Sequence, residues 1–277
     1  MMDLGDRQAS NENDARGLRV SRRALLVAAA STWGCPSSKG GRQAAGPASL
    51  TDAAFGGLEV VQRGDLRDAD RGGTAVVLLH GWGAPGDDLV DLAGVLAQPR
   101  TRFFFPVAPL PEVGGGRAWW HLDAADRPRH AGADDAPATA PPHPQLLRVR
   151  TAIQGVLRTI RTKFVPETLI LGGFSQGAML SLDVAVQDEP AVDRVVALSG
   201  LLLQDSLAAM GAARAKRPPV LLAHGEDDQV VPFRAGELAR TLLTRAGFPV
   251  TFRPFAGGHT IPAETIDHVR AFLVGGA

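Results

Sequence analysis

Ser175 sits in Gly173-Phe174-Ser175-Gln176-Gly177, a pentapeptide of the form G-x-S-x-G. Its hydroxyl becomes a nucleophile at neutral pH only if a base removes the proton, and that base needs a third group to hold it in the working tautomer. Both partners lie downstream, in the order acid then histidine that accompanies such a serine at the end of a sheet strand. Glu226, Asp227 and Asp228 are adjacent after an apolar run, and His259 follows two glycines in Gly257-Gly258-His259-Thr260. Spacing leaves the choice among the three acids open. The chemistry is acyl transfer: Ser175 attacks an ester carbonyl, His259 takes and returns the proton, and water then releases the acid. Two donors must also meet the oxyanion of the tetrahedral intermediate. One is the N–H of Gln176, the residue after the nucleophile. We assign the other to the N–H of Trp82, in Leu79-His80-Gly81-Trp82-Gly83, where glycines let the backbone approach. None of these steps requires a metal or a cofactor.

Position separates His259 from the rest of the seven histidines. His121, His130 and His143 fall in an irregular stretch, and His268 lies on the final helix. His80 and His224 end buried strands, where hydrogen bonds to backbone are the expected fate of the ring.

Such a set requires a scaffold that gathers distant loops on one edge. From Gly57 onward strand-like and helix-like segments alternate, which predicts an α/β fold with a mostly parallel central sheet covered on both faces. Strands are expected at 58–62, 75–79, 102–106, 168–172, 194–198, 220–224 and 250–253. Helices are expected at 88–97, 144–163, 176–187, 206–215, 234–246 and 263–274. Val76-Val77-Leu78-Leu79 and Val220-Leu221-Leu222-Ala223 do not alternate in polarity, which marks central strands buried on both faces. Ser175 then occupies a strand–turn–helix elbow, and the acid and histidine loops leave their strands on the same carboxyl edge.

Residues 111–144 interrupt this winding. They open with Gly114-Gly115-Gly116, carry Trp119-Trp120-His121 and turn acidic, Ala-rich and Pro-rich. A segment of this length without periodicity is functional or disordered in most proteins. Trp119 and Trp120 are expected to pack near the site as substrate-binding residues, against the commoner fate of paired tryptophans as core, and the Pro-rich remainder to form a mobile flap.

The chain has 277 residues, of which 45% are hydrophobic and 21% charged, enough for one globular domain with a leader before it. Lys plus Arg and Asp plus Glu both number 29, so charge gives no case for a nucleic-acid partner, and a small or lipid-like ester is expected instead. Residues 1–35 resemble an export signal: a long polar leader, Ser21-Arg22-Arg23, and an apolar run from Ala24 to Ala30 too short to span a bilayer. Gly34-Cys35 resembles the end of a lipoprotein box, in which Cys35, the single cysteine, would carry the lipid anchor. Residues 36–50 have the composition of a flexible tether, and residues 51–277 that of the folded domain. The expected location is the periplasm or cell envelope, with attachment to the membrane through lipidated Cys35.

Together these motifs resemble the phospholipase/carboxylesterase family of α/β-hydrolases, the group that also contains acyl-protein thioesterases, over about Val76 to Leu273. Leu79-His80-Gly81-Trp82-Gly83 looks like its first motif, Gly173-Phe174-Ser175-Gln176-Gly177-Ala178 its nucleophile motif, and Leu198-Ser199-Gly200 the signature after its next strand. His224-Gly225-Glu226-Asp227-Asp228-Gln229-Val230-Val231-Pro232 resembles its acid motif and Gly258-His259-Thr260-Ile261 its histidine motif. The resemblance implies Asp228 as the triad acid, Trp82 and Gln176 as the oxyanion hole, and Trp119 beside an acyl-binding groove. Gln229 stands where the family often has Pro, and Ala84 where it often has Asp. The resulting expectation is a monomeric or weakly dimeric serine carboxylesterase acting on esters of short to medium acyl chains. A thioesterase or lysophospholipase on the same triad, or a non-catalytic binding module of this fold, are the alternatives.

Overall fold

The computed structural model describes residues 49–51, 55–64, 72–122, 128–131, 142–187, 189, 191–212 and 216–276. The export signal, Cys35, residues 36–48 of the tether and most of the Pro-rich flap lie outside the described residues.

The frame is a sheet of strands β1 (Ser49–Thr51), β2 (Glu59–Gly64), β3 (Thr74–Leu79), β4 (Thr101–Pro106), β7 (Thr168–Phe174), β8 (Arg194–Leu198), β9 (Val220–Gly225) and β10 (Val250–Phe255). Their order across the sheet is β1-β2-β4-β3-β7-β8-β9-β10. The first two pairings are antiparallel and all those from β4 to β10 are parallel, which is the mostly parallel α/β architecture expected. Ser49 and Leu50, read above as the end of a tether, pair with Val61 and Val60 at the sheet edge.

The central strands show why their sequences do not alternate. In β3, Ala75, Val77 and Leu79 face one core, whereas Val76 and Leu78 face the other. In β7, Leu169 and Leu171 divide from Ile170 in the same way. Period-2 geometry sends successive side chains to opposite faces, and both faces are dry. Helices α2 (Pro144–Lys163) and α3 (Gln176–Ala185) cover the first face, joined by α4 (Gln204–Met210) and α5 (Phe233–Arg245). Helices α1 (Leu92–Leu96) and α6 (Ala263–Leu273) cover the second. In α2, Leu146, Val149, Ile153, Val156, Leu157 and Ile160 are buried, a stripe spaced by three and four residues. Pro144 starts that helix, where its missing N–H costs no bond, and Arg161 and Lys163 sit in the last turn against the dipole.

Most elements lie within two residues of the expected bounds, and two helices depart further. Helix α1 begins at Leu92 rather than 88, because the N–H groups of Val90, Leu92 and Ala93 bond to the carbonyls three residues back, as in successive turns. Helix α4 starts at Gln204 and stops at Met210, with Gly211 following as C-cap. At the start of the irregular stretch 111–144, a small hairpin of β5 (Leu110–Pro111) and β6 (Arg117–Ala118) is also present. Further on, Ala131 donates to Leu202 and Gln204 to Arg129, which pins the 128–131 piece against the start of α4.

The topology itself places the site. From β3 the chain runs outward through α1 to β4, then returns across β3 to β7 and proceeds through α3 to β8. The direction of winding therefore reverses between β3 and β7, and at such a switch point a crevice opens beyond the carboxyl ends of the strands. Leu79 pairs with Gly173 at that edge, so the loop after β3 and the turn after β7 emerge side by side.

Candidate active site

Ser175 joins β7 to α3 with φ 54° and ψ −119°. A non-glycine residue with positive φ is strained, by about 1–3 kcal/mol, and persists only where its surroundings hold it. Here its N–H donates to the Leu198 carbonyl at 2.9 Å, and its own carbonyl receives the first helical bond, from Met179 at 3.1 Å. The glycines around it are required by contact. A Cβ on Gly173 would lie 2.6 Å from the Leu79 carbonyl oxygen, and one on Gly177 only 2.0 Å from the same atom. The sharp turn thus presses directly on β3, and Ser175 itself is left partly exposed.

Three acids follow β9, and the fold distinguishes them. Glu226 and Asp227 are exposed, whereas Asp228 is buried. Asp228 Oδ1 accepts the N–H groups of Val230 and Val231, both at 2.8 Å, and Oδ2 lies 2.7 Å from His259 Nδ1. A carboxylate with two backbone donors on one oxygen is fixed in rotation, so the other oxygen has one direction to serve. Because that oxygen accepts, His259 Nδ1 carries the hydrogen and Nε2 is left with a free lone pair. The His259 ring packs on Phe174, the neighbour of Ser175, with ring centroids 4.7 Å apart. The choice that spacing left open is thus made by burial and hydrogen bonding.

The loop after β3 passes close to Ser175: a Cβ on Gly81 would stand 3.4 Å from Ser175 Cβ. Among the described residues, the N–H groups of Trp82 and Gln176 have no acceptor. These two unengaged donors lie on the segments that meet at Ser175, and several contacts hold those segments in place. Gly83 donates to the Arg117 carbonyl at 2.9 Å and Arg117 to the Ala84 carbonyl at 2.8 Å, so the β5–β6 hairpin braces the loop. The Trp82 indole N–H donates to Glu112 Oε1 at 3.2 Å, an oxygen that also meets His121 Nδ1 at 3.1 Å. No motif signals Glu112 in the sequence, since its partner is thirty residues away.

Trp119 and Trp120 are both in the core, 0% and 2% exposed. They present no face to solvent, and their place is under the site rather than across its mouth. The Gln176 side chain explains this: its Oε1 accepts the Trp119 N–H at 2.9 Å and its Nε2 donates to the Trp120 carbonyl at 2.8 Å. The Trp119 indole N–H in turn donates to the His80 carbonyl at 2.9 Å. Gln176 and Trp119 thus tie the two donor-bearing segments to each other, a function of the Gln176 side chain that the motif alone does not reveal.

His80 and His224 are buried with backbone partners, as their positions at strand ends suggest, and His268 is exposed. The Ala108 N–H donates to His80 Nε2 at 3.0 Å, so Nδ1 holds the hydrogen and gives it to the Gly81 carbonyl at 2.8 Å. Burial pushes this imidazole down to about 4 from its ordinary 6.5. As pH falls from about 6.5 to 4, the unfolded chain takes a proton that folded His80 refuses, so stability is lost, by about 3 kcal/mol. Nearby Asp88 works in the opposite sense. Burial raises its carboxyl to about 6 from 3.8, and among the described residues Oδ1 has no hydrogen-bond partner. As pH falls through 6 the folded state gains a proton first, and stability rises by about 3 kcal/mol. The two effects offset each other on acidification. Asp88→Asn should therefore be more stable than the parent at pH 7 and lose stability more steeply between pH 6 and 4. Urea midpoints at pH 7 and 4.5 test this, and equal slopes for the two proteins would rule it out.

The sequence profile of the phospholipase/carboxylesterase family matches residues 66–275. An acyl-protein thioesterase 1 of Gibberella zeae is 35% identical over 122 residues, a match spanning 43% of this chain and 52% of that protein. An acyl-protein thioesterase 1 of Kluyveromyces lactis is 31% identical over 214 residues, 72% of this chain and 90% of that protein. Among solved structures, the crystal structure of esterase PE8 superposes with a TM-score of 0.62 at 30% identity, covering 78% of this chain and 98% of that one. With the profile spanning the strands from β3 to β10, the elbow and both downstream loops, the chain belongs to the phospholipase/carboxylesterase family of α/β-hydrolases.

Proposed function

We propose that the protein is a serine carboxylesterase that cleaves esters of short to medium acyl chains through an acyl-enzyme intermediate. The observation that carries this reading is the 2.7 Å contact from Asp228 Oδ2 to His259 Nδ1, made beside a serine held at φ 54°. Ser175 Oγ forms a bond to the ester carbonyl carbon while its proton passes to His259 Nε2. The carbonyl oxygen becomes an oxyanion facing the N–H groups of Trp82 and Gln176. Collapse breaks the bond to the leaving alkoxide, which receives the proton from His259. Water then repeats the sequence on the acyl-serine, freeing the acid and restoring Ser175.

An apolar acyl group is supported by the loops around the crevice, where Trp82, Val113, Leu122 and Val230 stand exposed. Relatives named acyl-protein thioesterase favour a thioester as the competing substrate. A binding module without catalysis is disfavoured, because the strain at Ser175 and the pairing of buried Asp228 with half-buried His259 have no use in it. The first test is labelling of the full chain with a fluorophosphonate and mapping the adduct by mass spectrometry. An adduct on Ser175 that is lost in His259→Ala is the expected result; a folded, unlabelled parent would count against the enzyme. Rates on matched oxygen esters, thioesters and lysophospholipids then decide the substrate, and a tenfold preference for the thioester would replace the carboxylesterase reading.

The leader extends the proposal to location. Ser21-Arg22-Arg23, the apolar run and Gly34-Cys35 support export and lipid anchoring at Cys35. A mature protein from its own host that keeps its first residues and an unmodified Cys35 would exclude it.

A further inference from the structure

His224, the penultimate residue of β9, is a buried imidazole that the proposed reaction does not use. Its Nε2 lies 2.8 Å from the Val231 carbonyl oxygen and 3.5 Å from Asp228 Oδ2. A carbonyl only accepts, so Nε2 carries the hydrogen and donates it to Val231. The 3.5 Å approach to Asp228 is too long for a good hydrogen bond. The other edge of the ring is closed: a Cβ on Gly236 would stand 2.6 Å from Nδ1, and Phe233 meets the ring nearly edge-on at 6.0 Å. Burial pushes the imidazole below its ordinary range, against the opposing pull of the Val231 bond and of Asp228, and it stays neutral.

Val231 is thereby held twice. Its N–H goes to Asp228 Oδ1 and its carbonyl receives His224, while the next residue, Pro232, has no N–H to offer. Val230, which supplies the other donor to Asp228, is 68% exposed. Backbone bonds from Glu226 to Phe255 and from Asp227 to Gly257 hold the start of this loop; at its far end the outer side is open to water, and the Val231 carbonyl is anchored by the His224 bond. We propose that His224 is a positioning residue: by donating from Nε2 to the Val231 carbonyl it fixes the turn that aims the Val230 and Val231 N–H groups at Asp228, and so keeps Asp228 Oδ2 in register with His259. This inference rests on the reading of Ser175, Asp228 and His259 as the catalytic set. His224 touches neither substrate nor a reacting atom, and acts through Asp228 alone.

Two variants of the full chain separate the donor from the ring. His224→Gln places an amide N–H near the Nε2 position, and His224→Phe keeps the ring and removes the donor. On an activated ester, His224→Phe should lower kcat by about 10- to 100-fold with KM within about twofold, as expected when an acid–base pair loses its alignment. His224→Gln should stay within about threefold of the parent in both. If the Phe variant does not fold, His224→Asn replaces it, since its amide reaches the Nδ1 position and misses Val231. Parental kcat in the donor-less variant would overturn the proposal, as would an equal loss in the Gln variant, which would mean that ring packing alone matters. Fluorophosphonate labelling of the parent and of His259→Ala is run beside these. A labelled parent with an unlabelled His259→Ala keeps the catalytic reading intact whatever His224 does, and an unlabelled parent removes both together.

Discussion

Asp228→Asn should lower kcat on an activated ester by about 10⁴-fold, near 5.5 kcal/mol of barrier, while leaving the fold intact. The retained Oδ1 still accepts the N–H groups of Val230 and Val231, so the loop keeps its shape. What changes is the group facing His259. At 2.7 Å the carboxylate Oδ2 compels the Nδ1–H tautomer, whereas an amide NH₂ in the same place donates and compels the opposite one. The hydrogen then sits on Nε2, and Ser175 loses its base. The unfolding midpoint of Asp228→Asn should stay near that of the parent, which separates loss of chemistry from loss of structure. A variant that keeps more than a tenth of parental kcat would show that Asp228 does not set the tautomer.

Gly177→Ala should cost stability on a comparable scale. On helix propensity alone the change favours the folded state by about 1 kcal/mol, since Gly177 is in the first turn of α3. Contact reverses the sign. The new Cβ would lie 2.0 Å from the Leu79 carbonyl oxygen, 2.5 Å from its carbon and 2.6 Å from the His80 carbonyl oxygen. All three atoms are backbone in or next to a central strand, so no side chain can swing away, and α3 must retreat from β3 as a body. Losses above about 4 kcal/mol are exceptional for single substitutions and come from mechanisms of this kind. Against a total stability of about 5–15 kcal/mol, such a loss leaves the protein largely unfolded or insoluble at 37 °C. Soluble yield and the urea midpoint report it directly. A soluble variant with the parental midpoint would mean that α3 and β3 can separate cheaply; fluorophosphonate labelling would then show whether Ser175 moved with the helix.

The fold was legible wherever one segment carried its own instruction. The α2 boundaries follow from Pro144 at one end, the stripe from Leu146 to Ile160, and the basic last turn at the other. The central strands follow from apolar runs too short for helices and too uniform for a half-exposed sheet. Local signals were weaker at α1, where tight turns replace the first helical residues, and at β1 and β5–β6, where two or three residues pair only because a neighbouring strand offers an edge. In the site, Ser175 and His259 stand out because their glycine neighbours allow turns that few other sequences permit.

What the sequence by itself determined, then, is the seven longer strands and the six helices to within a few residues, the elbow at Ser175, and the order of Ser175, the acidic cluster and His259 along the chain. Periodicity, turn residues and motif order are local properties that the chain carries into any fold. Tertiary structure alone decided that Asp228 rather than Glu226 or Asp227 meets a histidine, because burial and two backbone donors act on only one of three adjacent carboxylates. It also decided that Trp119 and Trp120 lie beneath the site, that Gln176 clamps their backbone, and that Glu112 and His224 brace its two sides. The physical reason is the same in each case: these are contacts between residues distant in sequence, fixed by how β3, β7, β9 and the hairpin pack at one edge of the sheet.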